Sequence, residues 1–105
     1  MNFKLWTYEW PVTVLTYGNW RIALSWNSND WQPIRTITVN LPDCDMEEDE
    51  VAIDINNMSY IGEVIPKLEK QWFITTFVKD CKSWFVSYPI YKVTKEVYDN
   101  YLTIK

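Results

Sequence analysis

The sequence contains no histidine among its 105 residues. Imidazole is the side chain that most readily exchanges a proton near neutral pH, and it is a common zinc ligand. Its absence excludes Ser–His and Cys–His nucleophilic systems, acid–base catalysis by imidazole, and most zinc sites. Any catalytic chemistry would have to use carboxylates, lysines or tyrosines.

Cysteine is scarce, since Cys44 and Cys81 are the only two and no CxxC pair occurs. They lie 37 positions apart. A single pair is weak support for the disulfide framework of a small secreted protein. We therefore expect two free thiols in a cytoplasmic protein, with Cys44 in a loop and Cys81 near a turn.

Long apolar runs are also missing from the sequence. No stretch approaches the roughly 18 apolar residues that a membrane-spanning helix requires. The first residues, MNFKLW, lack the apolar core and the small-residue cleavage site of a signal peptide. These absences predict a cytoplasmic protein without a membrane partner.

Aromatic residues, by contrast, are abundant: seven tryptophans, seven tyrosines and four phenylalanines. The length predicts one domain over residues 1–105, whose core is too small to enclose all of these rings. We expect some of them to lie on the surface and contact a partner, because aromatics are enriched at interfaces. The alternative is that these rings only cover the faces of a thin sheet.

Alternation of apolar and polar residues predicts several short strands. Runs 12–17 and 20–26 flank Gly18-Asn19, which is typical of a hairpin. Run 34–41 predicts a third strand, and run 51–55 a short fourth one. Residues 72–78 and 84–93 predict two more, with a turn at 79–83 and an interruption at Pro89.

Two segments have helical spacing. Residues 57–70 predict a helix capped by Ser59, with Pro66 as an interior flaw that shortens or kinks it. Residues 95–102 predict a final helix capped by Thr94. The element order predicts an α+β fold, an antiparallel sheet of about five to six strands with one or two short helices packed on one face.

Charge is segregated along the chain. Residues 43–63 carry eight acids and no base, while residues 64–105 carry seven lysines and four acids. Such asymmetry affects which partners a protein binds and how fast it associates with them, more than it affects the fold. The densest block is 43–50, with six acids in eight residues.

A calcium site is one reading of this block. Asp43, Asp45 and Glu47 match positions 1, 3 and 5 of an EF-hand loop. The sixth position requires glycine and is Glu48, and the twelfth requires glutamate and is Asp54. The spacing therefore does not predict a calcium site.

A carboxylate-metal hydrolase is the catalytic alternative, because two carboxylates and a lysine can hold a metal that activates water. Asp43 or Asp54 would then be required for turnover. The matching E-x-K element is missing, since the local candidate Glu69-Lys70 has the wrong spacing. We predict no catalytic residue, no metal ligand and no cofactor.

Two readings of the acidic block remain, a solvated loop and a surface that binds a basic partner. The second reading assigns partner binding to exposed aromatics as well as to the acids. The predicted aromatic residues are Trp31 and Trp84. The predicted acidic residues are Asp43, Asp45, Glu47, Glu48, Asp49 and Glu50.

Basic residues near the C-terminus allow a further alternative, a single-stranded RNA-binding module. Where lysines and aromatic residues alternate on a sheet, the lysines can bind phosphates and the aromatic rings can stack on bases. The candidate residues are Lys79, Lys82, Lys92, Lys95 and Tyr91. A pI near 4.7 and only two arginines weigh against this alternative.

Part of the sequence resembles a small uncharacterised domain family carried by bacterial plasmids, conjugative elements and phages. The resemblance is most specific where residues 38–42 (TVNLP) lead through the acidic block to residues 54–57 (DINN). Residues 20–24 (WRIAL) and 88–91 (YPIY) resemble the family's first hairpin and closing segment. The resemblance carries over no catalytic residue.

The resemblance implies that the chain is encoded by a mobile genetic element. Small acidic proteins of such elements are often counter-defence factors. We therefore expect a non-enzymatic interaction protein in the cytoplasm of a bacterial host cell. Its expected activity is that of an anti-CRISPR protein, binding an RNA-guided nuclease or its ribonucleoprotein, with possible RNA contact.

Overall fold

The structure, a computed structural model, describes residues 1–5, 8–27, 33–55 and 61–105. These residues form eight strands and two helices. The strands are β1 Asn2–Leu5, β2 Tyr8–Thr16, β3 Ile22–Asn27, β4 Pro33–Thr36, β5 Thr38–Val39, β6 Glu50–Ile53, β7 Ile74–Ser83 and β8 Val86–Val93. The helices are α1 Ile61–Lys70 and α2 Lys95–Ile104. No helix of these residues is long and apolar enough to cross a membrane.

The strands form two antiparallel sheets, so the predicted α+β class is confirmed. The N-terminal sheet has the order β1-β2-β3-β4 and the C-terminal sheet the order β5-β6-β8-β7. The sequence predicted fewer strands in one sheet. One additional strand is β1, which was not predicted and pairs with β2. The other arises at Ile37, where the predicted strand 34–41 divides into β4, which pairs with β3, and β5, which pairs with β6.

Ile37 connects the two sheets through its backbone. Its N–H donates to the carbonyl of Leu24 at 2.8 Å, and its carbonyl accepts from the N–H of Asp54 at 2.9 Å. The Ile37 side chain is fully buried. Because both sheets provide a hydrogen-bond partner here, a run that alternates as one strand in sequence can cross between them.

One main core joins both sheets and both helices. Its buried side chains are Phe3, Leu5, Val12, Ile22, Leu24, Trp26, Ile37, Val51, Ile53, Val64, Leu68, Phe73, Ile74, Val93, Val97 and Tyr101. The rings of Phe3, Trp26 and Phe73 meet edge to face, with centroids 5.3 and 5.7 Å apart. Each such contact adds about 0.5–1.5 kcal/mol to the area that the rings bury.

The predicted cap of the final helix is confirmed. The Thr94 hydroxyl accepts a hydrogen bond from the N–H of Val97 at 3.4 Å, in the extended conformation of an N-cap. In α1 the helix contains Pro66 and continues to Lys70. The predicted cap Ser59 lies outside the described residues.

Three tryptophans adopt a left-handed backbone. Within the described ranges they are the only residues other than glycine with positive φ: Trp20 at 63°, Trp72 at 69° and Trp84 at 58°. This conformation costs an L-residue with a side chain roughly 1–2 kcal/mol. All three side chains are exposed.

Trp72 occupies the left-handed position of a Schellman motif at the end of α1. The N–H of Phe73 donates to the carbonyl of Leu68 at 2.9 Å, and the N–H of Trp72 to that of Glu69 at 3.2 Å. Glycine is the usual residue at this position. Burial does not explain the tryptophan, because its side chain is 69% exposed.

Candidate binding surface at the tip of the β7–β8 hairpin

The hairpin tip consists of Trp84 and Phe85. Ser83 pairs with Val86, so these two aromatic residues form the entire two-residue loop. The turn predicted at residues 79–83 is wrong, because that polar segment completes β7 instead. Its composition resembles a turn, but its backbone pairs with β8.

The tip exposes both rings almost completely. Trp84 is 87% exposed and Phe85 is 95% exposed. A positive φ at the first central residue alone is the pattern of a type II′ turn, where glycine is preferred. Neither burial nor turn propensity accounts for tryptophan here, and strained residues of this kind cluster at functional sites.

A disulfide between Cys44 and Cys81 fastens residues 43–50, here called the acidic segment, to β7. The Cα atoms are 6.4 Å apart, within the range that disulfides span. The expectation of two free thiols is wrong, because the fold brings these distant residues together. Neither cysteine is free.

The acidic segment has an apolar inner side that packs on the C-terminal sheet. Cys44 of this segment and Leu41 just before it are buried and form a second core cluster with Ala52 and Ile90, and Met46 packs against that cluster. Apolar side chains thus alternate with the acids of the sequence DCDM. The segment is therefore more than a solvated loop.

Arg21 holds the start of this segment from the neighbouring hairpin. Its guanidinium donates to the carbonyl of Leu41 and, at 2.6 Å, to the carbonyl of Cys44. Lys79 of β7 donates to the carbonyl of Asp45 at 2.6 Å. The role of Arg21 was not predicted from the sequence, since no local pattern connects this residue with residues 41–44.

Five of the six predicted acidic residues fall into two groups. Asp43, Asp45 and Glu47 are exposed, and their carboxylates have no hydrogen-bond or ion-pair partner among the described residues. Asp49 and Glu50 lie close to Lys92, whose Nζ is 3.2 and 3.7 Å from their carboxylate oxygens.

Glu50 has a local structural role. Its side chain is buried, and its carboxylate accepts the N–H of Glu47 at 2.9 Å. The hydrogen bond that Lys92 donates to the Asp49 carboxylate raises the pKa of Lys92 above its ordinary value. Asp49 and Glu50 therefore contribute to the fold where β6 begins beside β8, rather than presenting unpaired charge.

Glu48 faces α2 instead of the hairpin tip. Its carboxylate accepts from the Lys105 ammonium at 2.8 Å and from the Tyr98 hydroxyl at 3.2 Å. The hydrogen bond from Lys105 lowers the pKa of Glu48 below its ordinary value of 4.5. The contact ties the acidic segment to the last turn of α2.

We expect the stability difference between the chain and its Glu48→Gln variant to depend on pH. Because the folded-state pKa of Glu48 is lowered, its contribution is fully present above about pH 4.5 and is lost as the pH falls through the folded-state value. Urea unfolding should show a small loss of stability in the variant at pH 6, and this loss should shrink as the pH is lowered to 3. A loss of equal size at both pH values would contradict the role of the ionised carboxylate.

Asp43 lies beside the hairpin tip. Both Asp43 and Trp84 line an open groove of about 260 Å³, together with Pro42, Lys82 and the two disulfide-bonded cysteines. The fold thus joins one predicted acidic residue and one predicted aromatic residue in a single surface. The other predicted aromatic residue, Trp31, lies outside the described residues.

The lysines of the RNA-binding alternative have different surroundings. Lys95 forms an ion pair with Asp99 at 3.0 Å, and Lys92 and Lys79 have the partners given above. Lys82 has no such partner among the residues that the structure describes. Tyr91 is half-buried against Phe77, with ring centroids 5.5 Å apart.

No group of three or more acids and cysteines in the described part of the chain is arranged to hold a metal ion. Asp54, one of the two acids of the hydrolase alternative, is buried. Asp43, the other, is exposed at the groove. The structure does not bring these two residues into a candidate metal site.

No protein-family model, no curated protein and no solved structure matches the chain. The resemblance of residues 38–57 to a mobile-element family therefore stays a prediction. The candidate surface rests on its own geometry, the two exposed rings and the unpaired carboxylate beside them.

Proposed function

We propose that this chain is a non-enzymatic interaction protein that binds a partner protein through the hairpin tip and the adjoining acids. The observation that carries the proposal is the exposure of Trp84 and Phe85 on a turn that favours glycine. Aromatic side chains that become buried at the centre of an interface supply much of its binding energy. Both rings are already presented to solvent, so binding them requires no unfolding of the chain.

The free carboxylates favour a partner with a basic surface. Asp43, Asp45 and Glu47 carry unpaired negative charge on the segment that the disulfide fastens to the hairpin. Such charge accelerates association with a positive groove, most strongly at low salt. A protein that binds nucleic acid presents such a groove, and the acids would occupy the place of phosphates.

The proposed partner class is a bacterial defence protein, specifically an RNA-guided nuclease or its ribonucleoprotein. This step rests on the resemblance of residues 38–57 to a mobile-element family and on the charge of the acidic segment. The proposed mechanism is steric and electrostatic exclusion of nucleic acid. It places the chain in the cytoplasm of the bacterial host cell.

The reducing conditions of such a cytoplasm oppose a disulfide. In that setting the contacts of Arg21 and the packing of Leu41 and Met46 would have to keep the acidic segment in place. These contacts do not depend on the bond between Cys44 and Cys81. The proposed surface can therefore persist when the thiols are reduced.

The experiment is capture from a bacterial lysate with the tagged chain, followed by affinity measurement with the purified partner and a nucleic-acid cleavage assay. We expect the Asp43→Asn/Asp45→Asn/Glu47→Gln variant to associate more slowly at low salt and to show a weaker dependence of association on salt. We also expect the chain to inhibit the partner's cleavage of nucleic acid.

A matched control changes three exposed acids elsewhere, as Glu9→Gln/Glu69→Gln/Glu96→Gln, and alters net charge by the same amount. This control should retain most of the association rate. Equal slowing of both variants would mean that only net charge matters. That result, or unimpeded cleavage by the bound partner, would contradict the proposed function.

A further inference from the structure

The lysines of the chain differ in whether they have a partner. Lys92, Lys95 and Lys105 form ion pairs, and Lys79 donates to a backbone carbonyl. Four other lysines have no hydrogen-bond or ion-pair partner for their ammonium group within the described residues: Lys4, Lys67, Lys70 and Lys82. Among the lysines of the described residues, unpaired positive charge is therefore confined to these four positions.

Three of these four lysines converge on one groove. Lys4 of β1 and Lys67 and Lys70 of α1 line an open groove of about 390 Å³, here called the lysine groove. Glu9 lies opposite Lys4 in the β1–β2 ladder and is the one acid among the lining residues. The groove thus has three positive charges against one negative charge, in a chain whose net charge is −4.

Folded elements hold these lysines in place. Gln71, which completes the groove, accepts the N–H of Lys4 at 2.8 Å and donates its amide to the Lys4 carbonyl at 2.7 Å. This pair of bonds fixes β1 against the end of α1. Lys67 and Lys70 lie in the last turn of α1, where positive charge interacts favourably with the helix dipole. The dipole does not explain the presence of Lys4, which lies on a strand.

The residue that follows the groove residue Gln71 in the chain is an exposed tryptophan. Trp72 directly follows Gln71, and its side chain is 69% exposed on the left-handed backbone at the end of α1. A flat aromatic surface beside positive charges is the combination with which proteins bind single-stranded nucleic acids. The ammonium groups contact phosphates, and the ring stacks on a base.

We propose that the lysine groove binds the backbone of a single-stranded nucleic acid while Trp72 stacks on one of its bases. Lysine ammonium groups act as point charges on phosphate oxygens, and stacking accepts any base, so binding is independent of sequence. This site shares no residue with the hairpin tip. It uses a different set of lysines from the C-terminal RNA-binding alternative.

The test is fluorescence anisotropy of a labelled oligouridine 12-mer titrated with the full chain at several salt concentrations. Three phosphate contacts predict a slope of log K against log salt of about −2, so binding should weaken about 20-fold between 50 and 200 mM salt. In Lys4→Ala/Lys67→Ala/Lys70→Ala the slope should approach zero. Lys4→Gln alone, which leaves α1 unchanged, should reduce the slope by about 0.7.

Two further variants separate this site from its alternatives. Lys79→Ala/Lys82→Ala/Lys95→Ala removes the same number of charges and should keep the slope of the unchanged chain. Trp72→Gly suits the left-handed backbone and should weaken binding about five-fold or more through lost stacking. Trp84→Gly changes the hairpin tip and should leave oligonucleotide binding unaltered.

Three results would overturn the proposal. The first is equal binding by the lysine-groove variant and the unchanged chain. The second is loss of binding only in the Lys79/Lys82/Lys95 variant. The third is unchanged binding in Trp72→Gly together with equally effective competition by inorganic polyphosphate, which would show a site for any polyanion.

Discussion

Reduction of the Cys44–Cys81 disulfide is expected to lower the free energy of unfolding by about 3–4 kcal/mol. The bond closes a loop of 37 residues, and the loss of denatured-chain entropy for a loop of that length gives this magnitude. Small domains are stable by only about 5–15 kcal/mol, so the loss is a large fraction of the total. The fold should survive, because Arg21 and the second core cluster also hold the acidic segment.

Urea unfolding with and without dithiothreitol measures this effect on the unmutated chain. Cys44→Ser/Cys81→Ser is the matched control, whose stability should not respond to the reductant. Thiol titration of the oxidised, denatured protein should detect no free thiol. Two free thiols per chain, with a stability that the reductant leaves unchanged, would refute the disulfide.

Trp84→Gly is expected to weaken binding of the proposed partner at least about 30-fold while slightly stabilising the chain. Loss of a central aromatic contact commonly costs 2 kcal/mol or more of binding free energy. The free energy of unfolding should rise by about 0.5–1 kcal/mol, since glycine relieves the left-handed strain but adds denatured-state entropy. An exposed side chain has little burial to lose.

This combination separates a binding role from a structural one. If Trp84 is retained for folding, the Trp84→Gly variant should be less stable than the unchanged chain. If Trp84 is retained for binding, the variant should be more stable and should bind the partner weakly. Trp20→Gly is the matched control, because it makes the same exchange on another left-handed, exposed residue that belongs to neither proposed binding site. It should gain similar stability and keep partner binding. Thermal unfolding and titration of the partner measure the two quantities.

Local sequence signals correctly predicted several elements. Gly18-Asn19 lies in the turn between β2 and β3, and Thr94 caps α2. These features depend on residues close in sequence, where turn and capping preferences apply directly. The α+β class followed from the order of such elements.

The features that sequence could not predict depend on contacts between distant residues. Ile37 divides a continuous alternating run because its backbone bonds to both sheets. The turn falls on Trp84 and Phe85, although the polar residues 79–83 have the more typical turn composition. The disulfide and the bonds of Arg21 join segments that no local pattern relates.

The candidate surface was predicted only in part. Trp84 and Asp43 were among the predicted residues, and the structure places both at one groove. Phe85 was missed as a binding residue because a strand was predicted there. Sequence does not distinguish Glu48, Asp49 and Glu50 from the unpaired acids beside them. In the structure, lysines that are distant in sequence form ion pairs with these three residues.

The most direct test of the proposed role of the hairpin tip is the affinity of the purified partner for Trp84→Gly compared with Trp20→Gly. We expect that only Trp84→Gly loses binding, by at least about 30-fold, although both variants are folded and at least as stable as the unchanged chain. Equal affinity for the two variants, with both close to the unchanged chain, would contradict it.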